Sequence, residues 1–132
     1  MLEGARAMAK AGVRGKRTVL FVSFSGEEQG LVGSRLYLKR PAAPIGSTAA
    51  MINIDHAGIG NGRLTIGVTG FEKSVALKAG QTVGLAEKLD LFGFFPGGDH
   101  MPFKEAGVPT VTIVSGGHPS TLSQATRSGR HD

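Results

Sequence analysis

The chain has 132 residues, 40% of them hydrophobic, with 21 glycines, no cysteine and a formal net charge of +5. That is enough apolar material for one globular core, and the lack of cysteine excludes disulfides and thiolate metal sites. A mean hydropathy of +0.01 argues against disorder as a whole-chain state, and no apolar run approaches the ~20 residues that span a bilayer.

The first stretch, Leu2 to Ala11, is rich in alanine and predicts a charged amphipathic helix stopped at Gly12. It does not read as a secretory signal, and it leaves the compartment open. Basic residues gather only at Arg14, Lys16 and Arg17 and again at Lys39 and Arg40. No aromatic residues alternate with them as a nucleic-acid stacking platform requires, so no nucleic-acid partner is expected.

Val19 to Phe24 is apolar almost without a break, the pattern of a strand buried on both faces of an α/β sheet. Ser25-Gly26 ends it, two adjacent carboxylates, Glu27 and Glu28, follow, and Leu31 to Leu38 predicts a helix. Pro41 to Pro44 interrupts regular structure. Thr48 to Ile54 predicts a second buried strand that closes on Asp55, and a glycine-rich turn, Gly58 to Gly62, follows it. Further on the pattern predicts a strand over Arg63 to Val68 and a helix over Phe71 to Ala86 weakened by Gly80 and Gly84. A strand over Leu89 to Phe95, a short helix over His100 to Ala106 and a last strand over Val108 to Val114 complete the series. After Ser115 the composition turns to Gly, Ser, Thr, Gln and Arg without periodicity, the mark of a loose tail.

Open α/β sheets bind ligands beyond the carboxyl ends of their strands. Two predicted strands end on acids there, one on Glu27 and Glu28, the other on Asp55. If both lie in one parallel sheet, three carboxylates converge, and their mutual repulsion is relieved by a cation or a proton between them. A divalent ion with one acid left over as base is the simplest chemistry. The plainer alternatives are a Ser25-x-x-Glu28 capping box before the helix and an Asx-turn role for Asp55.

Three segments in this order carry a family resemblance: Phe24 to Ser34, Asn53-Ile54-Asp55, and Gly98-Asp99-His100-Met101-Pro102-Phe103 running on to Pro109. They resemble the co-catalytic zinc aminopeptidases of metallopeptidase family twenty-eight, clan MH. The resemblance implies a zinc-exopeptidase (phosphorylase/hydrolase-like) three-layer α/β fold, a mostly parallel mixed sheet between helices, here incomplete at the N-terminus. It implies residues 1–119 as a partial peptidase catalytic domain, and the composition of residues 120–132 predicts a disordered tail. It also implies an exopeptidase acting on a peptide substrate. In that role Glu27 is the general base for metal-activated water, Glu28 is a ligand of one zinc ion and Asp55 of the other. Asp99 and His100 match a motif that flanks the site; by themselves they read as a helix N-cap acid and a first-turn histidine. Members of the family are often secreted or periplasmic.

The match has gaps. No His-x-Asp segment precedes Arg17, and Leu122 stands about where the family's last histidine ligand belongs. His118 matches a neighbouring histidine that is not a ligand, and His131 has no counterpart. Each ion of a zinc pair thus keeps one carboxylate, where a catalytic zinc uses three protein ligands. The expectation is a fragment with weak or absent zinc binding, with self-association through uncovered sheet surface. A non-catalytic remnant that serves as a binding domain is the alternative. A serine hydrolase lacks its Gly-x-Ser-x-Gly elbow, and Gly58-x-Gly60-x-Gly62 has the wrong spacing for a dinucleotide.

Overall fold

The structure, a computed structural model, describes residues 1–12, 14–58, 62–92 and 96–115. Helix α1 is Leu2–Ala11, α2 Val32–Lys39, α3 Lys73–Thr82 and α4 His100–Glu105; the strands are β1 Met51–Asp55, β2 Leu64–Thr69, β3 Leu89–Phe92 and β4 Thr110–Ser115. The four strands form one mixed sheet in the order β1-β4-β2-β3. β1 runs parallel to β4 and β2 parallel to β3, while β2 and β4 are antiparallel. Helices lie on both faces, so the fold is α/β in three layers.

The two faces of the sheet differ in chemistry. Side chains alternate along each strand, so Ile66 and Val68 of β2 share a face with Val111 and Ile113 of β4 and with Leu89 and Leu91 of β3. α3 packs there through Ala76, making the apolar core. Gly80, one turn further along α3, sits so near Leu89 that an added Cβ would stand 2.2 Å from its Cδ1. The glycine that weakens this helix on propensity thus lets it lie close against Leu89 of the sheet.

On the opposite face the buried residues are largely polar: Asn53, Thr65, Thr110 and Thr112, with Val114. α4 covers this face against β1 and β4, and α2 packs on α4. The Thr69 and Thr110 hydroxyls, on neighbouring strands, hydrogen-bond to each other at 2.6 Å. Phe24, Tyr37 and Phe103 form a triangle of rings with centroids 5.7 to 6.0 Å apart. Edge-to-face and tilted ring pairs of this kind each contribute roughly 0.5–1.5 kcal/mol beyond area burial. An exposed Arg35–Glu105 pair at 3.2 Å joins the same two helices.

Two expectations are corrected. Val19 to Phe24 is extended but forms no strand, and Val19, Leu20 and Phe21 are 52%, 48% and 43% exposed. An apolar run reports what a segment would bury, whereas strand formation needs a partner edge, and this segment is hydrogen-bonded into no sheet. Val22 and Phe24 alone of its apolar residues are half-buried. β1 is corrected as well. Its buried side chain is the polar Asn53, while Ile52 and Ile54 are 63% and 52% exposed because no described helix covers that end of the apolar face. The other predicted elements form with shifts of a few residues at their ends, while residues 93–95 of the predicted strand Leu89 to Phe95 and residues 59–61 of the glycine-rich turn lie outside the described residues. Gly12 closes α1 in the left-handed region at φ +63°, as expected. The predicted tail and disordered segment, together with His118, Leu122 and His131, lie outside the described residues.

Candidate active-site cleft

A cleft of about 390 Å³ runs along the outer edge of β1, between that strand and residues 22–24. Its apolar wall is Val22, Phe24, Met51, Ile52 and Ile54, and its acids are Glu27, Asp55 and Asp99. Met1 lines it too, and among the described residues no lysine, arginine or histidine side chain does, so its ionisable side chains are acidic in a chain whose net charge is positive. A more open depression, about 480 Å³, lies between α1 and residues 14–21; it carries Arg14, Lys16 and Arg17 and none of the acids.

Glu27 is presented by a tight turn. The Gly26 carbonyl accepts from Gln29 and Val32 N–H at 3.2 and 3.1 Å, the Glu27 carbonyl from Leu31 N–H at 2.9 Å, and the Ser25 carbonyl from Gly33 N–H at 2.9 Å. Gly26, Gly30 and Leu31 have φ of +73°, +98° and +60°, a left-handed geometry that glycine adopts freely. The capping box does not form. α2 starts at Val32 with Leu31 at its N-cap and no side-chain cap, so Glu28 is left exposed and outside the cleft lining.

Asp55 ends β1 and accepts the His56 N–H at 2.9 Å on Oδ1. His56, which the sequence did not single out, has φ +48°, a sparsely populated conformation of the kind found next to functional residues. Gly58 N–H donates to the Ser115 hydroxyl at 3.2 Å and ties this turn to the end of β4. Asp99 holds the N-cap position of α4, but its side chain caps nothing. It faces the cleft instead. His100 is buried, 2% exposed, beneath it.

The structure therefore brings Glu27, Asp55 and Asp99 to one cleft, leaves Glu28 outside it, and places His100 under the cleft rather than in it. A zinc ion takes three protein donors and a water, with histidine or cysteine usually among the donors. Among the described residues no three His, Cys, Asp or Glu side chains are gathered to hold an ion, so these residues do not fit a zinc pair. No described helix is long and apolar enough to cross a membrane.

The α/β sheet thus carries the Glu-Glu and Asn-Ile-Asp motifs beside one cleft, with Glu27, Asp55 and Asp99 in its lining. The chain matches Peptidase family M28 over residues 1–130 and belongs to that family. It is similar to leupeptin-inactivating enzyme 1 of Streptomyces exfoliatus, 29% identical over 138 residues, an alignment that takes in 98% of this chain and 30% of that protein. The chain spans about three tenths of that relative's length.

Proposed function

We propose that this chain carries the general base of a peptide-hydrolysing exopeptidase, an aminopeptidase of the zinc-dependent kind, with the base on Glu27. The observation that supports this best is the cleft that Glu27, Asp55 and Asp99 each line, along an apolar edge. Glu27 takes a proton from the attacking water and returns it to the amine that leaves, one carboxylate serving both halves of the reaction. The apolar wall takes up a substrate side chain, while the acids suit a substrate with a cationic amino end. Membership of Peptidase family M28 supports the reaction class.

Zinc dependence belongs, on this reading, to the whole enzyme, and the chain is a fragment of it. Glu28 and Asp55 supply one carboxylate each, too few for two ions, and no step is assigned through them. The exposed position of Glu28 favours a second reading, a remnant that binds without hydrolysing. Aminoacyl-nitroanilide hydrolysis separates the two. The expected result is no turnover by this chain with or without added zinc, turnover once an upstream His-x-Asp segment is joined to it, and loss of that turnover by at least about a hundredfold in Glu27→Gln. Glu27→Gln retaining full activity in the longer protein would overturn the assignment.

A further inference from the structure

The polar face under α4 holds side chains whose bonding capacity is unspent. Asn53 is only 9% exposed and Thr112 1% exposed, yet the Asn53 Nδ2, Thr112 Oγ1 and Asp99 Oδ1 atoms are buried without a hydrogen-bond partner. Buried polar atoms are normally satisfied by protein or by ordered water. Asn53 and Thr112 are register partners on the parallel strands β1 and β4, so they stand side by side on one face at the strand spacing of ~4.8 Å. Asp99 follows Gly98, and Gly98 lies directly over the Asn53 amide. A Cβ on Gly98 would stand 3.4 Å from Asn53 Nδ2 and 3.1 Å from His100 Nδ1. Glycine, at φ +103°, keeps the space above the amide free of side chain.

One amide donor, one hydroxyl and one carboxylate oxygen are thus left buried without a partner, the hydroxyl beside the amide on the neighbouring strand and the carboxylate on the residue that follows the glycine over that amide. A buried water makes about three hydrogen bonds, which matches this set in number and in polarity: it accepts from Asn53 and donates to Asp99, with the Thr112 hydroxyl as the third partner. We propose that an ordered water bridges Asn53, Thr112 and Asp99, and that Asn53 is thereby a positioning residue, holding Asp99 as the third acid of the cleft. The water site follows from the buried atoms alone; the service to the cleft rests on the proposed function.

The test uses the full chain and needs neither metal nor turnover. A high-resolution crystal structure is expected to show one fully occupied water within hydrogen-bond distance of all three atoms, and a dry gap or an outward-turned Asn53 overturns the proposal. In solution, the Asn53 side-chain amide is expected to show magnetisation transfer from a long-lived water and to shift in Asp99→Asn. An amide that exchanges as freely as in a peptide, in a folded protein, overturns it too. Thermal melting of Asn53→Leu, Thr112→Val and the double variant completes the test. Each single change is expected to lower the midpoint by about 4 °C, and the double by little more than one of them, because the first already empties the site. Additive losses speak against a shared water. The reverse pair, Asn53→Asp with Asp99→Asn, is expected to restore both the midpoint and the amide–water signal, which a merely space-filling Asn53 would not do. Catalytic failure of the longer enzyme with these results intact would count against the proposed function and leave the water site standing.

Discussion

Gly33, in the first turn of α2, lies on the backbone of Ser25: its N–H donates to the Ser25 carbonyl at 2.9 Å, and a Cβ there would stand 2.6 Å from that oxygen and 2.8 Å from the Ser25 nitrogen. Both obstructing atoms are main chain, so no side-chain rotation relieves the contact. Gly33→Ala is therefore expected to destabilise the fold by about 1–3 kcal/mol, the usual range for overpacking, despite alanine's higher helix propensity. Urea unfolding measures the loss, and amide shifts across residues 25–30 report displacement of the Glu27 turn. A variant as stable as the parent would show that this approach is looser than the structure has it.

Phe103 is 4% exposed and meets the rings of both Phe24 and Tyr37. From α4 it touches both the segment leading to Glu27 and the helix that follows it. Phe103→Ala is expected to lose about 3–5 kcal/mol. Phe103→Leu should recover most of that without restoring the ring geometry. If the alanine variant unfolds at the parental denaturant concentration, the ring triangle does not hold α4 in place.

Ile52 and Ile54 leave an apolar strip on β1 beside an unpaired edge, the kind of surface through which sheets associate. Self-association is expected to show in sedimentation velocity at increasing concentration. Changing Ile52 and Ile54 together to lysine is expected to raise the dissociation constant by about tenfold or more, since each tenfold step corresponds to only about 1.4 kcal/mol. A parent that stays monomeric across the range would refute the expectation.

At the other end of the chain, Glu3 accepts from the Arg6 guanidinium one turn away, and that bond holds its carboxyl below the ordinary 4.5. Such a lowered value adds stability that is fully present above the unfolded carboxyl's pKa and is lost as pH falls through the folded one. Arg6 is shifted upward by the same bond, and its contribution is lost only in strong alkali. α1 is therefore expected to fray on acidification below 4.5 and to be indifferent to pH around neutrality. The amide exchange of residues 2–11 across that interval checks it, with Glu3→Gln expected to remove the acid dependence. Both side chains are exposed, so the effect is local.

The sequence alone determined the order and kind of nearly every element. The helix stop at Gly12, the strand patterns at β2 and β4, and the break at Pro41 to Pro44 are local properties, set by backbone freedom and side-chain period. It also singled out Glu27, Glu28 and Asp55 as candidate acids, because they sit in motifs at the carboxyl ends of predicted strands. Tertiary structure alone decided which of them meet. The Gly26–Gly33 turn carries Glu27 to the cleft and leaves Glu28 outside it, a choice made by a few positive φ angles that residue type does not encode for neighbouring glutamates. It also decided that Val19 to Phe24 lies beside the sheet without joining it, since a strand is defined by its partner and not by its own residues. The burial of Asn53 under α4 was equally illegible: a polar side chain in an apolar run reads as the solvent face until a helix is packed over it.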